Sequence, residues 1–235
     1  MVPRHAPVLP DIEAAPTFGA DGTFWAELDP RDGHALAGLC RTRTYARGQA
    51  LFHERQLADQ VVVIRSGWVK IVLSSGAVLA FRGPGELIGE LAPLDGGARS
   101  ASVFAVDRVE ALSLPAAAFR RFVEERPRIA FVLLGILTQR LRDADAKRAE
   151  FTTHVTIERL AARLLELGEL FGHHEEDGGI RVSVSQDDLA GTTYASLESV
   201  ARALRDMRRL GWIETRRGEV HLVDPDALAR MADRD

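Results

Sequence analysis

Two segments of this chain carry residue types whose spacing points to chemistry. The first is Gly85-Glu-Leu-Ile-Gly89-Glu90-Leu91, followed by Arg99-Ser100-Ala101. An arginine offers a permanent charge and a fixed fork of donors, and a serine hydroxyl with loop amides can complete a cradle for a phosphate. Glu90 suits the opposite task, accepting from a hydroxyl. The second segment runs from Ser185-Gln-Asp-Asp-Leu-Ala-Gly to Ala195-Ser196-Leu-Glu198-Ser199-Val-Ala-Arg202. Glu198 and Arg202 stand four apart, hence on one face of a helix. An arginine there can clamp O6 and N7 of guanine, and a glutamate can accept from cytosine N4. Each pair has a plainer alternative: Arg99 ion-paired with Glu90 across a loop, and Glu198 with Arg202 on a solvated helix face.

The elements that must position these residues follow from the pattern around them. Residues 1–22, rich in Pro, Ala, Gly and Asp without a period, read as a disordered arm. Order is expected from about Phe24, with a short helix after Asp29-Pro30. Between 43 and 115, apolar runs at 50–52, 61–64, 68–73, 78–81, 102–106 and 109–114 are punctuated by Gly-containing turns, the mark of a small antiparallel barrel or jelly roll. A short helix, 116–125, should follow Pro115. A long helix is expected over 128–155, where Leu134, Leu137, Leu141, Ala144, Arg148, Phe151 and Val155 alternate at three and four. That is the seam of a helix against a partner helix, flawed at Arg148; packing on its own barrel is the alternative.

A further helix, 157–170, should lead into the last unit. There Ile180–Val184 alternates as a strand, Ser185 and Asp188 have capping-box spacing before a short helix over 186–191, and Ser196 precedes a longer one over 197–210. Two short strands at 212–215 and 220–223, joined through Arg216-Arg217-Gly218-Glu219, make a hairpin wing. Helix, tight turn, longer helix and wing constitute a module that reads DNA. The expected class is α+β: a barrel domain over 23–127, a dimerisation helix over 128–155 and a winged helix-turn-helix over 156–235.

Composition narrows the function classes. The net charge of −4 gives no global attraction for polyanions, so affinity for DNA must be local. From Ser196 to Gly218 there are six arginines against three acids, an excess of +3. One cysteine, Cys40, supports neither an internal disulfide nor an iron–sulfur cluster and fits a reducing, cytoplasmic setting. No stretch approaches the roughly 18 apolar residues of a membrane span. No nucleophile–base order or phosphate-binding loop of an enzyme stands out. The run His173-His174-Glu175-Glu176 is the one candidate metal tract, set against a solvated linker, and His53 the one candidate haem ligand, set against a polar loop residue.

With these residues in view, the chain resembles the Crp/Fnr family of bacterial regulators from about Phe24 to the C-terminus. The 85–91 and 99–101 segments look like its phosphate-binding cassette and 185–202 like its helix-turn-helix. The resemblance implies a dimeric regulator that binds a palindromic operator in double-stranded DNA and works with RNA polymerase. It implies an effector, cyclic AMP or cyclic GMP, held by Gly89, Glu90, Leu91, Arg99, Ser100 and Ala101, with Glu90 on the ribose. It places the Glu198–Arg202 face in the major groove and makes Ser185, Ser196, Ser199, Arg216 and Arg217 phosphate contacts. Ala144 and Asp145 stand where cyclic-AMP receptors have adjacent Thr and Ser that touch adenine. An ionised Asp145 only accepts, so it suits a base amino group or guanine's adjacent N–H donors, with a solvated helix residue as the alternative. Leu197 replaces a base-reading arginine, Tyr194 a small turn residue, and the 89–99 loop is shorter by one residue and stiffened by Pro93. A regulator with a vestigial pocket that binds DNA without effector, or one that senses another ligand, has the same sequence pattern.

Overall fold

Asp29 accepts a hydrogen bond from the Asp32 amide (2.8 Å) and Pro30 fixes the first helical φ, so α1 (Pro30–Leu39) starts where a cap and a proline dictate. The computed structural model describes residues 18–153, 156–176 and 178–232. After α1 come β1 (Arg41–Tyr45), β2 (Ala50–Phe52), β3 (Gln60–Ser66), β4 (Val69–Val72), β5 (Val78–Arg82), β6 (Leu87–Ile88), α2 (Leu91–Asp95), β7 (Ser102–Ala105) and β8 (Val109–Pro115). The strands form two four-stranded antiparallel sheets, β1-β8-β3-β6 and β2-β7-β4-β5.

The unbroken apolar run of β3 has a reason on each face. Val62 and Ile64 point between the sheets with Phe52, Ile88, Val103 and Val109. Val61 and Val63 point outward, under α1, α3 (Ala116–Glu124) and the start of α4 (Pro127–Thr153), and pack with Leu36, Phe119, Phe122, Ile129 and Leu133. A strand covered on both sides loses the alternation of a half-exposed one. Phe18 stacks on Trp25 at 4.4 Å between centroids, so packed structure begins several residues before Phe24; an aromatic residue inside the expected arm had an apolar partner to cover. Residues 1–17 lie outside the described residues.

Beyond the barrel, α5 (Thr156–Phe171) leads to β9 (His173–His174), β10 (Ile180–Val182), α6 (Gln186–Thr193), α7 (Leu197–Arg209), β11 (Ile213–Arg216), β12 (Glu219–Leu222) and α8 (Pro225–Ala232). The sheet β11-β12-β10-β9 backs the helices, and Leu160, Leu164 and Leu167 of α5 meet Leu189, Val200, Leu204, Met207 and Leu222.

β5 belongs to two neighbourhoods. Its pairing with β4 runs Ile71↔Ala80 and then Val72↔Val78, a bulge at Leu79. The extra residue puts Val78 and Phe81 into the core of the C-terminal unit, beside Phe171, while Leu79, Ala80 and Arg82 line a cavity on the barrel side. Lys70 of β4 donates to Asp188 of α6 at 2.5 Å, closing the same contact with an ion pair.

Candidate functional site

The cavity against β5 has a volume of about 310 Å³, the lower end of the range for small-molecule sites. Its walls come from Ile71, Val103 and β5, its floor from Gly89 to Ala92 and Arg99 to Ala101, and its outer side from Leu137, Arg140, Leu141 and Ala144 of α4. Gly89 has φ +80°, and a Cβ there would lie 2.5 Å from an Arg99 nitrogen. Glycine is therefore required for Arg99 to lie where it does.

Arg99 is 5% exposed, stacks over Phe52 at 3.8 Å, and donates to the Gly89 carbonyl (2.8 Å) and the Gln60 carbonyl (2.5 Å). Burial lowers its pKa, with Asp59 and Glu90 acting the other way. Glu90, 4% exposed, accepts from Arg140 at 2.8 Å, and Arg140 also donates to the Leu87 carbonyl at 2.9 Å. The alternative in which Arg99 and Glu90 pair with each other is thus not the arrangement found: the fork of Arg99 turns to main-chain oxygens, and the carboxylate reaches the long helix instead. Arg82 stands 3.2 Å from Glu86, and burial lowers its pKa, with Glu86 and Arg140 next among the influences. Arg82, Arg99 and Arg140 line this cavity against Glu90 alone, so the lining is positive and suits an anion; Glu86 beside Arg82 and the exposed Asp59, 3.6 Å from Arg99, lie outside the lining.

Sequence reasoning missed Arg140 and Arg82. Arg140 continues the barrel-facing row Ile129, Leu133, Ile136 of α4, spaced four, three and four, and a charge in such a row is the signal that could have revealed it. Arg82 carried none, because the bulge decides where it points. Ser100 is exposed and Ala101 buried at the cavity's edge, and Leu91 is largely exposed. Asp145 is exposed and lies outside the cavity lining, one residue past Ala144.

The seam residues divide. Leu134 and Leu141 are exposed, together with Phe131, which the heptad reading omitted; Leu137 is half-buried and lines the cavity, as Leu141 and Ala144 also do. Arg148 is exposed; the side chain of Phe151 and all of Val155 lie outside the described residues.

In the C-terminal unit, Ser185 caps α6 by accepting from the Asp188 amide at 3.1 Å, and Ser196 caps α7 by accepting from the Ser199 amide at 3.1 Å. The Ser196 and Ser199 hydroxyls share a hydrogen bond of 2.9 Å. Tyr194 ends α6 in the left-handed region (φ 51°), a conformation that costs a non-glycine residue about 1–2 kcal/mol. Val200, Ala203, Leu204 and Met207 bury one face of α7, leaving Leu197, Glu198 and Arg202 on the other. Glu198 and Arg202 form a 3.1 Å pair, exposed at both ends. Arg216 and Arg217 stand exposed at the hairpin turn, where Gly218 has φ +76°. His53 is an exposed loop residue, and Glu175 is taken up by Arg181 and faces His221 at 3.5 Å. Among the described residues no three His, Cys, Asp or Glu side chains gather as metal ligands, and no helix is long and apolar enough to cross a membrane. Burial pushes the Cys40 thiol up to about 11, so it stays protonated near neutral pH.

Residues 42–126 match the cyclic nucleotide-binding domain family and residues 158–231 the Crp-like helix-turn-helix domain family. The chain is 34% identical over 211 residues to the CRP-like cAMP-activated global transcriptional regulator of Mycobacterium tuberculosis, covering 87% of this chain and 94% of that protein. It is 29% identical to the cyclic AMP receptor protein of Thermus thermophilus over 216 residues, with the same two shares, 87% and 94%. Among solved structures, a CRP-family transcriptional regulator from Thermus thermophilus superposes with TM-score 0.71 at 27% identity, over 82% of this chain and 97% of that one.

Proposed function

This chain belongs to the Crp/Fnr family of DNA-binding transcription regulators, which are not enzymes, and we propose that it works as a cytoplasmic homodimer whose operator affinity is set by a cyclic nucleotide. The observation that carries the proposal is the positive cavity in which the Arg99 loop, Glu90 and the long helix converge through Arg140. A cyclic phosphate would take its charge from Arg99 with Ser100 and the amides of the cassette, and a ribose hydroxyl would compete with Arg140 for Glu90. Each copy presents Glu198 and Arg202 to a major groove, with Ser185, Ser196, Ser199, Arg216 and Arg217 on phosphates, and the dimer acts on transcription by RNA polymerase.

Calorimetry against cyclic AMP and cyclic GMP tests the effector. Wild type is expected to bind one of them. Arg99→Ala should weaken that binding by about 10- to 100-fold, the worth of a hydrogen bond to a charged group, while the fold stays intact. One observation favours a second reading, a regulator active without effector: the donors of Arg99 already meet two main-chain carbonyls. Tight operator binding with no heat from either nucleotide would establish that reading and overturn the first.

The route from cavity to DNA runs along β5, whose bulge gives one face to the ligand and the other to the helix-turn-helix. A ligand that prefers one setting of this strand shifts the population of head orientations. Gly191 of α6 packs so closely that an added Cβ would sit 2.6 Å from the Gly76 carbonyl. Gly191→Ala should therefore lift α6 off the β4–β5 turn and reduce the factor, commonly about 5- to 150-fold, by which effector changes operator affinity. Operator titrations with and without nucleotide measure it; an unchanged factor would place the coupling elsewhere.

A further inference from the structure

We infer that Arg82 selects the effector's base, and that the base is a 6-oxo purine, guanine or hypoxanthine, rather than adenine. This rests on the cyclic-nucleotide reading above and narrows it. Five polar side chains line the cavity: Arg82, Glu90, Arg99, Ser100 and Arg140. On that reading Arg99 and Ser100 take the phosphate and Glu90 the ribose. The wall left for the base is an apolar slot of Ile71, Leu79, Ala80, Leu137, Leu141 and Ala144, with Arg82 and Arg140 as its polar members. Arg140 has both terminal nitrogens engaged, one on Glu90 at 2.8 Å and one on the Leu87 carbonyl at 2.9 Å. Arg82 does not. Its Nη1 donates to the Phe81 carbonyl at 3.1 Å, whereas Nη2 has no hydrogen bond among the described residues. Its Nε is buried without a hydrogen bond, for Glu86, although 3.2 Å away, lies off the N–H direction.

The Arg82 side chain is only 20% exposed, so open donors that a ligand cuts off from water must find an acceptor or cost free energy. Adenine and guanine differ here. Along the edge that carries N7, guanine presents O6 and N7, two acceptors that match a guanidinium fork, while adenine presents N7 beside an amino donor. Adenine therefore sets donor against donor and leaves an N–H of Arg82 unpaired. No carboxylate on this wall reverses the preference, because Glu90 is held by Arg140 and Glu86 stands outside the lining. An apolar residue at this position would make the slot nearly indifferent to the two edges. Strong selectivity comes from buried polar groups that the wrong ligand leaves unpaired.

Calorimetry with cyclic GMP, cyclic IMP and cyclic AMP tests the assignment. Cyclic IMP keeps O6 and N7 but lacks the 2-amino group of guanine, so it isolates the edge that Arg82 reads. Wild type should bind cyclic GMP and cyclic IMP about 5- to 150-fold tighter than cyclic AMP, the range for one bidentate contact. Arg82→Met, close in length but without donors, should bring the three to near parity by weakening the two oxo purines. Arg82→Lys should restore part of the preference, and Arg99→Ala should weaken all three alike and keep the ratio. Cyclic AMP bound by wild type as tightly as cyclic GMP overturns the inference without any substitution. So does a preference that survives Arg82→Met, or cyclic IMP that binds like cyclic AMP, which would place the choice on the 2-amino group. Wild type that binds none of the three would instead strike at the effector reading itself and take this assignment with it.

Discussion

Leu141→Asp should convert the protein to a monomer and lower its operator affinity by about two to four orders of magnitude. The long helix has two apolar faces. Ile129, Leu133 and Ile136 close over the barrel, while Phe131, Leu134 and Leu141 remain 74%, 59% and 61% exposed, spaced along the other side of α4. A contiguous apolar stripe of this kind marks an interaction surface. Burying it against its own copy covers six large side chains across a two-fold axis. At the roughly 1.5–3 kcal/mol that full burial of each contributes, the sum is about 9–18 kcal/mol, against about 8 kcal/mol for a micromolar dimer. A carboxylate at the centre of that contact must be desolvated without a partner, which costs more than the leucine contributed. Loss of the dimer separates the two reading heads, and the second head then no longer acts at the high effective concentration that linkage provides, worth about 10²- to 10⁴-fold. Leu141 also lines the cavity, so Phe131→Asp, which does not, is the companion variant. Light scattering and operator binding read both; a protein that stays dimeric with either substitution refutes this seam.

Much of this architecture is legible in the chain. The apolar runs and glycines of the barrel, the cap at Asp29, the caps at Ser185 and Ser196, and the wing are local features, and each lies where its own residues direct. What was not legible depends on neighbours distant in sequence. β1, Arg-Thr-Arg-Thr-Tyr, is an edge strand with only Tyr45 buried, so it shows no apolar pattern. α2 is five residues with Pro93 in its first turn, hidden in what reads as a loop. α8, packed on α5, went unread although Asp224-Pro225 opens it as Asp29-Pro30 opens α1, with Asp224 accepting from the Ala227 amide at 2.9 Å. In the site, the 85–101 segment and the exposed face of α7 could be picked out from residue types; Arg140 showed only as a charge in the apolar row of α4, and Arg82 carried no signal, because a β-bulge decides where it points. The heptad reading selected Leu137 and Ala144, which line the cavity edge as Leu141 does, and omitted Phe131, which is exposed on the same side of α4 as Leu134 and Leu141.

Arg202→Ala should reduce affinity for the preferred operator by about 1–3 kcal/mol per half-site, and a symmetric dimer doubles that loss. The structure presents Arg202 on the side of α7 opposite Val200, Leu204 and Met207, paired with Glu198 at 3.1 Å but 66% exposed. Such an exposed pair contributes only a few tenths of a kcal/mol, so the guanidinium can leave it for a guanine at little cost. For the same reason the substitution should leave thermal stability nearly unchanged, which separates a reading role from a structural one. The loss should be confined to one base pair per half-site, where the preference for guanine relaxes, while Glu198→Ala relaxes a neighbouring position. Arg217→Ala, on the wing, should instead weaken all sequences alike and flatten the salt dependence. Selection from randomised duplexes with each variant distinguishes these outcomes. A motif unchanged by Arg202→Ala would leave the pair as a surface ion pair, and the base-reading face of this regulator would have to be sought elsewhere along α7.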